Sequence, residues 1–153
     1  MATKRMFDKA IIETDSFLDL PISAKAMYFF LGMEADDRGF VSPKRIMRVY
    51  GGSDDDIKVL VAKNYIIPFE SGVVVITHWH QNNWLDSRRT KETQYTLEKN
   101  SLTLTANNKY VLSKRLARIE ENRIEENTEE LSEEERKRKL KEIKNNLMES
   151  FSK

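Results

Sequence analysis

The sequence of 153 residues contains no cysteine. That excludes disulfides, thiol nucleophiles and zinc sites built on thiolates, and it suits a reducing cytoplasm, where the protein is expected to reside. Histidine is nearly absent too, with two copies, and proline occurs three times. Long apolar runs are missing: Ala26–Leu31 and Val73–Ile76 fall far short of the ~20 residues of a membrane helix, so no membrane partner is expected. Lys4 and Arg5 lead into Asp8 and Lys9 rather than an apolar stretch, so no signal peptide is read. Neither sign of charge dominates, with 26 Lys and Arg against 25 Asp and Glu. Hydrophobic residues make up 39% and charged residues 33%, against roughly 45–50% and 25% in an average domain. Part of the chain is therefore expected to be solvated on most faces.

Aromatic residues locate that part. Thirteen of the 14 Phe, Trp and Tyr lie at or before Tyr110, and Phe151 alone follows. This predicts a folded domain over 1–110 and a charged helical tail over 111–153. Within the tail, 120–135 holds nine Glu and one Arg, and 136–144 holds six basic residues and one Glu. The tandem repeat Arg-Ile-Glu-Glu-Asn at 118–122 and 123–127 suits a solvated linker or a monotonous helix.

Local signals in the first part run in a definite order. Ser23 reads as an N-cap for a helix near 24–35 with Met27, Tyr28 and Leu31 on one apolar face. Asp36-Asp37-Arg38-Gly39 is a turn, and Phe40-Val41 a short extended piece. Ser42 and Pro43 open a second helix to Tyr50, which Gly51-Gly52 stops. Ser53 caps a third over 54–63, with Asp54, Asp55 and Asp56 in its first turn, where negative charge suits the helix dipole, and Ile57, Leu60 and Val61 inside. Tyr65–Phe69 and Gly72–Thr77, joined at Glu70-Ser71-Gly72, read as a hairpin over 65–80. Pro68 consigns the first strand to an edge. The order is that of a winged helix-turn-helix, so the fold expected is α+β, mostly helical, with a C-terminal charged helical extension.

Little in the chain can do chemistry. There is no Gly-rich phosphate loop, and the two histidines share one stretch, so an enzyme is not expected. His78-Trp79-His80 would put two imidazoles on one face of a strand, but Asp86 is the sole plausible third ligand. Packing of Trp79 beside Val73, Val75 and Thr77 is therefore the expectation, and no metal or cofactor is called for. Trp84 and Tyr95 have rings that can stack on bases, though core or interface packing is the expected role.

Several strings carry a resemblance: Lys4-Arg-Met-Phe7, Asp15-Ser-Phe-Leu-Asp-Leu-Pro21, Ala35-Asp-Asp-Arg-Gly-Phe-Val41, Gly52-Ser-Asp-Asp-Asp56, Ile66–Ile76, His78-Trp79 and Asn82-Asn83. Over roughly residues 3–95 the chain resembles the N-terminal domain of phage replisome-organiser, DnaD-like replication proteins of Gram-positive bacteria. The resemblance implies a winged helix that engages DNA or replisome proteins at a phage origin, in the cytoplasm of a bacterial host.

In a winged helix the third helix presents its N-terminus to the major groove, and here that end is Asp54-Asp55-Asp56. Three acids facing a polyanion make a poor reader, so DNA contact is expected elsewhere. Lys44, Arg45 and Arg48 share one side of the second helix, Lys58 lies on the third, and Arg88, Arg89 and Lys91 follow the wing. Lys4 and Arg5 precede the fold. These are expected to touch phosphates and supply affinity without sequence choice.

In the tail, Ser132 and Glu135 have capping-box spacing, and Leu140, Ile143, Leu147 and Phe151 form one apolar stripe on a helix over 133–150. The stripe is expected to lie buried against protein: the same chain, a second copy in a homodimer, or a host partner. Leu112, Leu116 and Ile119 suggest a helix upstream. Two functions follow. The first is a phage or prophage replication protein that binds DNA. The second is a non-enzymatic phage protein that uses the winged helix as a scaffold to inhibit a host replication factor or defence nuclease, in the manner of an anti-CRISPR. Near-neutral charge and the acidic third helix favour the second, whereas the resemblance across several motifs favours the first, which is the function expected.

Overall fold

The computed structural model describes residues 3–114, 118, 121–122 and 133–151. The chain is α+β and about half helical, with small antiparallel sheets and a C-terminal helix. It divides into two compact units, Met1–Ser113 and Lys114–Lys153.

Two short helices open the first unit, α1 (Lys9–Ile12) and α2 (Asp15–Leu18). Asp8 and Thr14 cap them by accepting from the Ala10 and Phe17 N–H groups. Helix α3 runs Ile22–Glu34, after Pro21 and with no side-chain cap. Ser23 is therefore not the N-cap expected of it. Its hydroxyl instead donates to Asp56 Oδ1 at 2.6 Å and ties α3 to the segment that starts at Asp54. Met27, Tyr28 and Leu31 are all buried, as their spacing predicts.

Strand β1 is Phe40–Val41, α4 is Pro43–Tyr50 and α5 is Asp54–Ala62. Pro43 sits at the start of α4, and Gly51 ends it with φ 86. At the start of α5 a full capping box forms, with the Ser53 hydroxyl against the Asp56 N–H and the Asp56 carboxylate against the Ser53 N–H. Asp56 is thus buried and fully engaged, and the Ser23 hydroxyl, ahead of the opposing effect of burial and the Ser53 contacts, holds its pKa below the usual carboxylate value.

Strands β2 (Ile66–Pro68) and β3 (Val74–Ile76) close a three-stranded sheet in the order β1-β3-β2, with Phe40 opposite Val75 and Ile67 opposite Val75 from the other side. Pro68 lies on an edge strand, where its missing N–H costs no ladder bond. The opposite edge is closed differently. Phe40 donates its N–H to Asp36 Oδ1 and accepts from the Asp36 N–H, so the outward groups of β1 are already used. Gly72, at φ 86, makes the turn between β2 and β3.

The hairpin stops earlier than its sequence suggests. After Thr77, the chain turns into a short helix, α6 (Trp79–Asn82). His78, Trp79 and His80 are therefore not strand neighbours, and the shared face expected of the two imidazoles does not exist. Helix α7 (Thr96–Asn100) then leads to a second antiparallel pair, β4 (Leu102–Leu104) with β5 (Tyr110–Leu112). Leu112 pairs with Leu102 in that ladder and so is not part of the upstream helix expected there, although Ser113, Lys114, Arg118, Glu121 and Asn122 are helical; Leu116 and Ile119 lie outside the described residues.

The core gathers Trp79, Tyr28, Phe40, Met27, Leu31, Leu60 and Val75, none more than 1% exposed. In the second unit, α8 covers Glu133–Phe151. Leu140, Ile143 and Leu147 are 57%, 55% and 52% exposed. Ser132 and the Phe151 side chain fall outside the described residues. No helix among the described residues is long and apolar enough to cross a membrane.

Candidate nucleic-acid interface

A buried ion pair holds the scaffold of the candidate surface. Arg5, expected to touch phosphate, has a side chain only 2% exposed and donates to Asp37 Oδ1 at 3.0 Å. The same Nη2 donates to the Ala35 carbonyl, and the guanidinium lies 5.0 Å from the centroid of the Trp79 ring. The Trp79 indole N–H donates to the Asp37 carbonyl. Asp37 Oδ2 accepts from the Lys91 N–H, and Asp36 Oδ2 from the Thr93 hydroxyl. One turn after α3 thereby fixes the N-terminal strap, α6 and the 86–95 segment. Asn82 and Asn83 complete the lock, accepting from the Asp8 and Met6 N–H groups.

On this frame, α4 points Lys44, Arg45 and Arg48 outward. Glu34 holds the ends of that row: it accepts from the Tyr50 hydroxyl at 2.7 Å and lies 4.0 Å from Arg45. Tyr50 also stacks on Phe30, with ring centroids 4.5 Å apart and planes 6° apart. Lys58 sits 3.8 Å from Asp55 and Arg88 3.6 Å from Asp86, both at exposed positions where such pairs are weak. Lys44, Arg48, Arg89 and the Lys91 side chain take part in no ion pair among the described residues. Arg45 and Lys91 line one cavity of about 390 Å³, floored by Phe40, Ile46 and Tyr95. Of the candidate cations only Arg45 and Lys91 line this groove, whose walls also carry Glu34 and Glu92.

The two histidines diverge. His80 Nε2 lies 2.9 Å from the Tyr110 hydroxyl, and His78 packs against Tyr65. Among the described residues no three His, Asp or Glu come together to hold a metal. Burial, with the nearby Lys109 charge, lowers the His78 pKa from 6.5 to about 4, and burial lowers that of His80 as well. The sign follows. The fold keeps the His78 ring neutral, while the unfolded chain takes up a proton below pH 6.5. This part of the stability is complete above pH 6.5 and is lost as the pH falls to about 4. We expect chemical denaturation to show a loss of roughly 2 kcal/mol over that window, allowing for the ring's partial solvation. The loss should shrink in His78→Gln; an unchanged slope in that variant would remove His78 as its source.

Tyr95 is half-buried against Phe40, as expected of a packing ring, but Trp84 is 83% exposed. Its role is not legible in its neighbours, because Trp79, five residues earlier, looks the same and is sealed. No family model, curated protein or solved structure matches this chain.

Proposed function

We propose that the first unit is a winged helix and binds DNA without catalysing a reaction, as a phage replication protein of the replisome-organiser type. The order α3, β1, α4, α5, β2, β3, with β1 joining the hairpin as third strand, supports the fold. The resemblance strings support it further, because Asp36, Asp37, Gly39, Phe40, Trp79, Asn82 and Asn83 build the scaffold rather than its surface. The observation that carries DNA binding is the pair Lys44 and Arg48, one turn apart on α4, exposed and free of ion pairs among the described residues. Asp54 and Asp55 stand exposed at the start of α5, so the contact is to phosphates and is tolerant of sequence.

Replacing Lys44, Arg45 and Arg48 together by Ala is expected to weaken duplex binding for all sequences alike. The slope of log K against log salt should flatten by roughly 2, with Arg45 adding least because Glu34 already holds it. Asp54→Asn should leave binding equal or tighter. Fluorescence anisotropy across a salt series reads both, and an unchanged slope in the triple variant refutes the α4 contact. A second reading, a scaffold that inhibits a host protein, rests on the exposed Leu140, Ile143 and Leu147 of α8. It is favoured if duplex DNA fails to bind at low salt.

A further inference from the structure

Trp84 is the most exposed of the large apolar side chains among the described residues, and it stands just past the end of α6. It lines a cavity of about 240 Å³ with Arg38, His80, Asn83, Thr90 and Leu104. That is smaller than the roughly 300–1,000 Å³ of drug-sized sites and suits a single ring system. Asn83 is 5% exposed, and its carboxamide oxygen accepts from the Met6 N–H at 3.0 Å. That bond fixes the amide plane and leaves Nδ2 as its free end, since no hydrogen bond among the described residues uses it. The cavity thus offers a π face on Trp84, an apolar wall on Leu104 and a positioned donor on Asn83. Beside it, the segment from Trp84 to Lys91 has three cations and one carboxylate, net +2.

A nucleobase matches this set, with a flat face to stack, edge acceptors for an amide donor and a phosphate on each side. A base inside a duplex is stacked on both faces and cannot lie on the indole. An apolar side chain of a protein partner would leave the Asn83 donor unused and gain nothing from the cations. We propose that Trp84 and its cavity receive one unpaired base of single-stranded DNA, with Arg88 and Arg89 meeting the neighbouring phosphates. The proposal rests on the DNA-binding reading above and adds a second mode centred on Trp84 rather than on α4.

The chain has two tryptophans and Trp79 is sealed, so intrinsic emission can report on Trp84. Full-length protein is titrated with an oligothymidylate at low salt, with anisotropy of a labelled strand as an independent measure of saturation. Emission should fall as the strand binds. Trp84→Ala should weaken single-strand affinity roughly 5- to 100-fold and leave duplex affinity unchanged. Trp84→Phe, which keeps a ring, should recover most of the affinity. The Lys44→Ala and Arg48→Ala double variant should lose duplex affinity and keep the emission response. Unchanged emission at saturation, or undiminished strand affinity in Trp84→Ala, overturns the proposal while intact duplex binding leaves the α4 reading standing. Emission that follows protein concentration instead of strand would assign Trp84 to a protein contact and overturn it too. Failure of duplex and single strand alike removes both readings.

Discussion

Asp37→Ala is expected to lower the stability of the first unit by roughly 3–5 kcal/mol, because it strands a buried cation. The Arg5 side chain is 2% exposed, and its Nε is already without a partner. Once the carboxylate is gone, the Ala35 carbonyl and the Trp79 ring are what remains to balance its charge. The Lys91 N–H would lose its acceptor in the same step. Burial pushes the Asp37 carboxyl up, but the Lys91 N–H and the Arg5 guanidinium outweigh it, so the net pKa is lowered. The ion pair therefore contributes fully above the ordinary carboxylate pKa and fails only as the pH falls through the lower folded value, below the window in which His78 acts. Urea denaturation at pH 7 measures the main effect. A loss under 1 kcal/mol would mean that water or a shifted Arg5 replaces the pair.

Gly39→Ala should cost a similar amount for another reason. Gly39 has φ 92, and a Cβ there would stand 2.7 Å from Trp79 Cγ and 2.9 Å from Trp79 Cβ. The indole has little room to retreat: its N–H is bonded to the Asp37 carbonyl and Arg5 covers its face. The left-handed backbone contributes about 1–2 kcal/mol and the overpacking about 1–3, together about 2–5 kcal/mol. Gly72 separates the two parts. Its φ is 86, yet nothing lies within 4 Å of an added Cβ, so Gly72→Ala should lose the backbone part alone. Equal shifts in the denaturation midpoints of the two variants would show that the Trp79 ring can move.

Much of the first unit was legible because its ends are marked by local chemistry. Ser53 and Asp56, Pro43, Gly51 and Gly72 each fix a boundary through their own backbone or side-chain bonds, and the structure places them where their chemistry predicts. The errors lie where a distant partner decides. Arg5 looks like a solvated cation until Asp37, 32 residues on, takes it inside. Ser23 looks like a cap until Asp56 takes its hydroxyl. The β-rich run from Val73 to His80 reads as one long strand, but Trp79 is drawn under the Asp37 carbonyl and the chain must turn to deliver it. Leu112 shared a helical spacing with Leu116 and Ile119, yet it ends β5, one residue ahead of the helical Ser113. The stronger signal was the Asn107-Asn108 turn between two β-rich triplets, with Asn108 at φ 58. Of the candidate cations, the sequence could place Lys44 and Arg48 on one face of α4. It could not show that Glu34 occupies Arg45, nor that Trp84 stands in the open.

The N-terminal strap is synthesised well before the groups that hold it. Met6 and Asp8 wait for Asn83 and Asn82, which are 77 and 74 residues further along. At about 5–20 residues per second, the ribosome needs roughly 4–15 s to make that stretch. Throughout that interval Phe7, which ends in edge-to-face contact with Phe29, has no finished surface to meet. The nascent strap is flanked by Lys4, Arg5, Asp8 and Lys9, charges that keep a short apolar segment in water while it waits. Arg5 thus has two successive roles on the ribosome and after it: a solubilising charge first, and an internal anchor once Asp37 and Trp79 have closed around it.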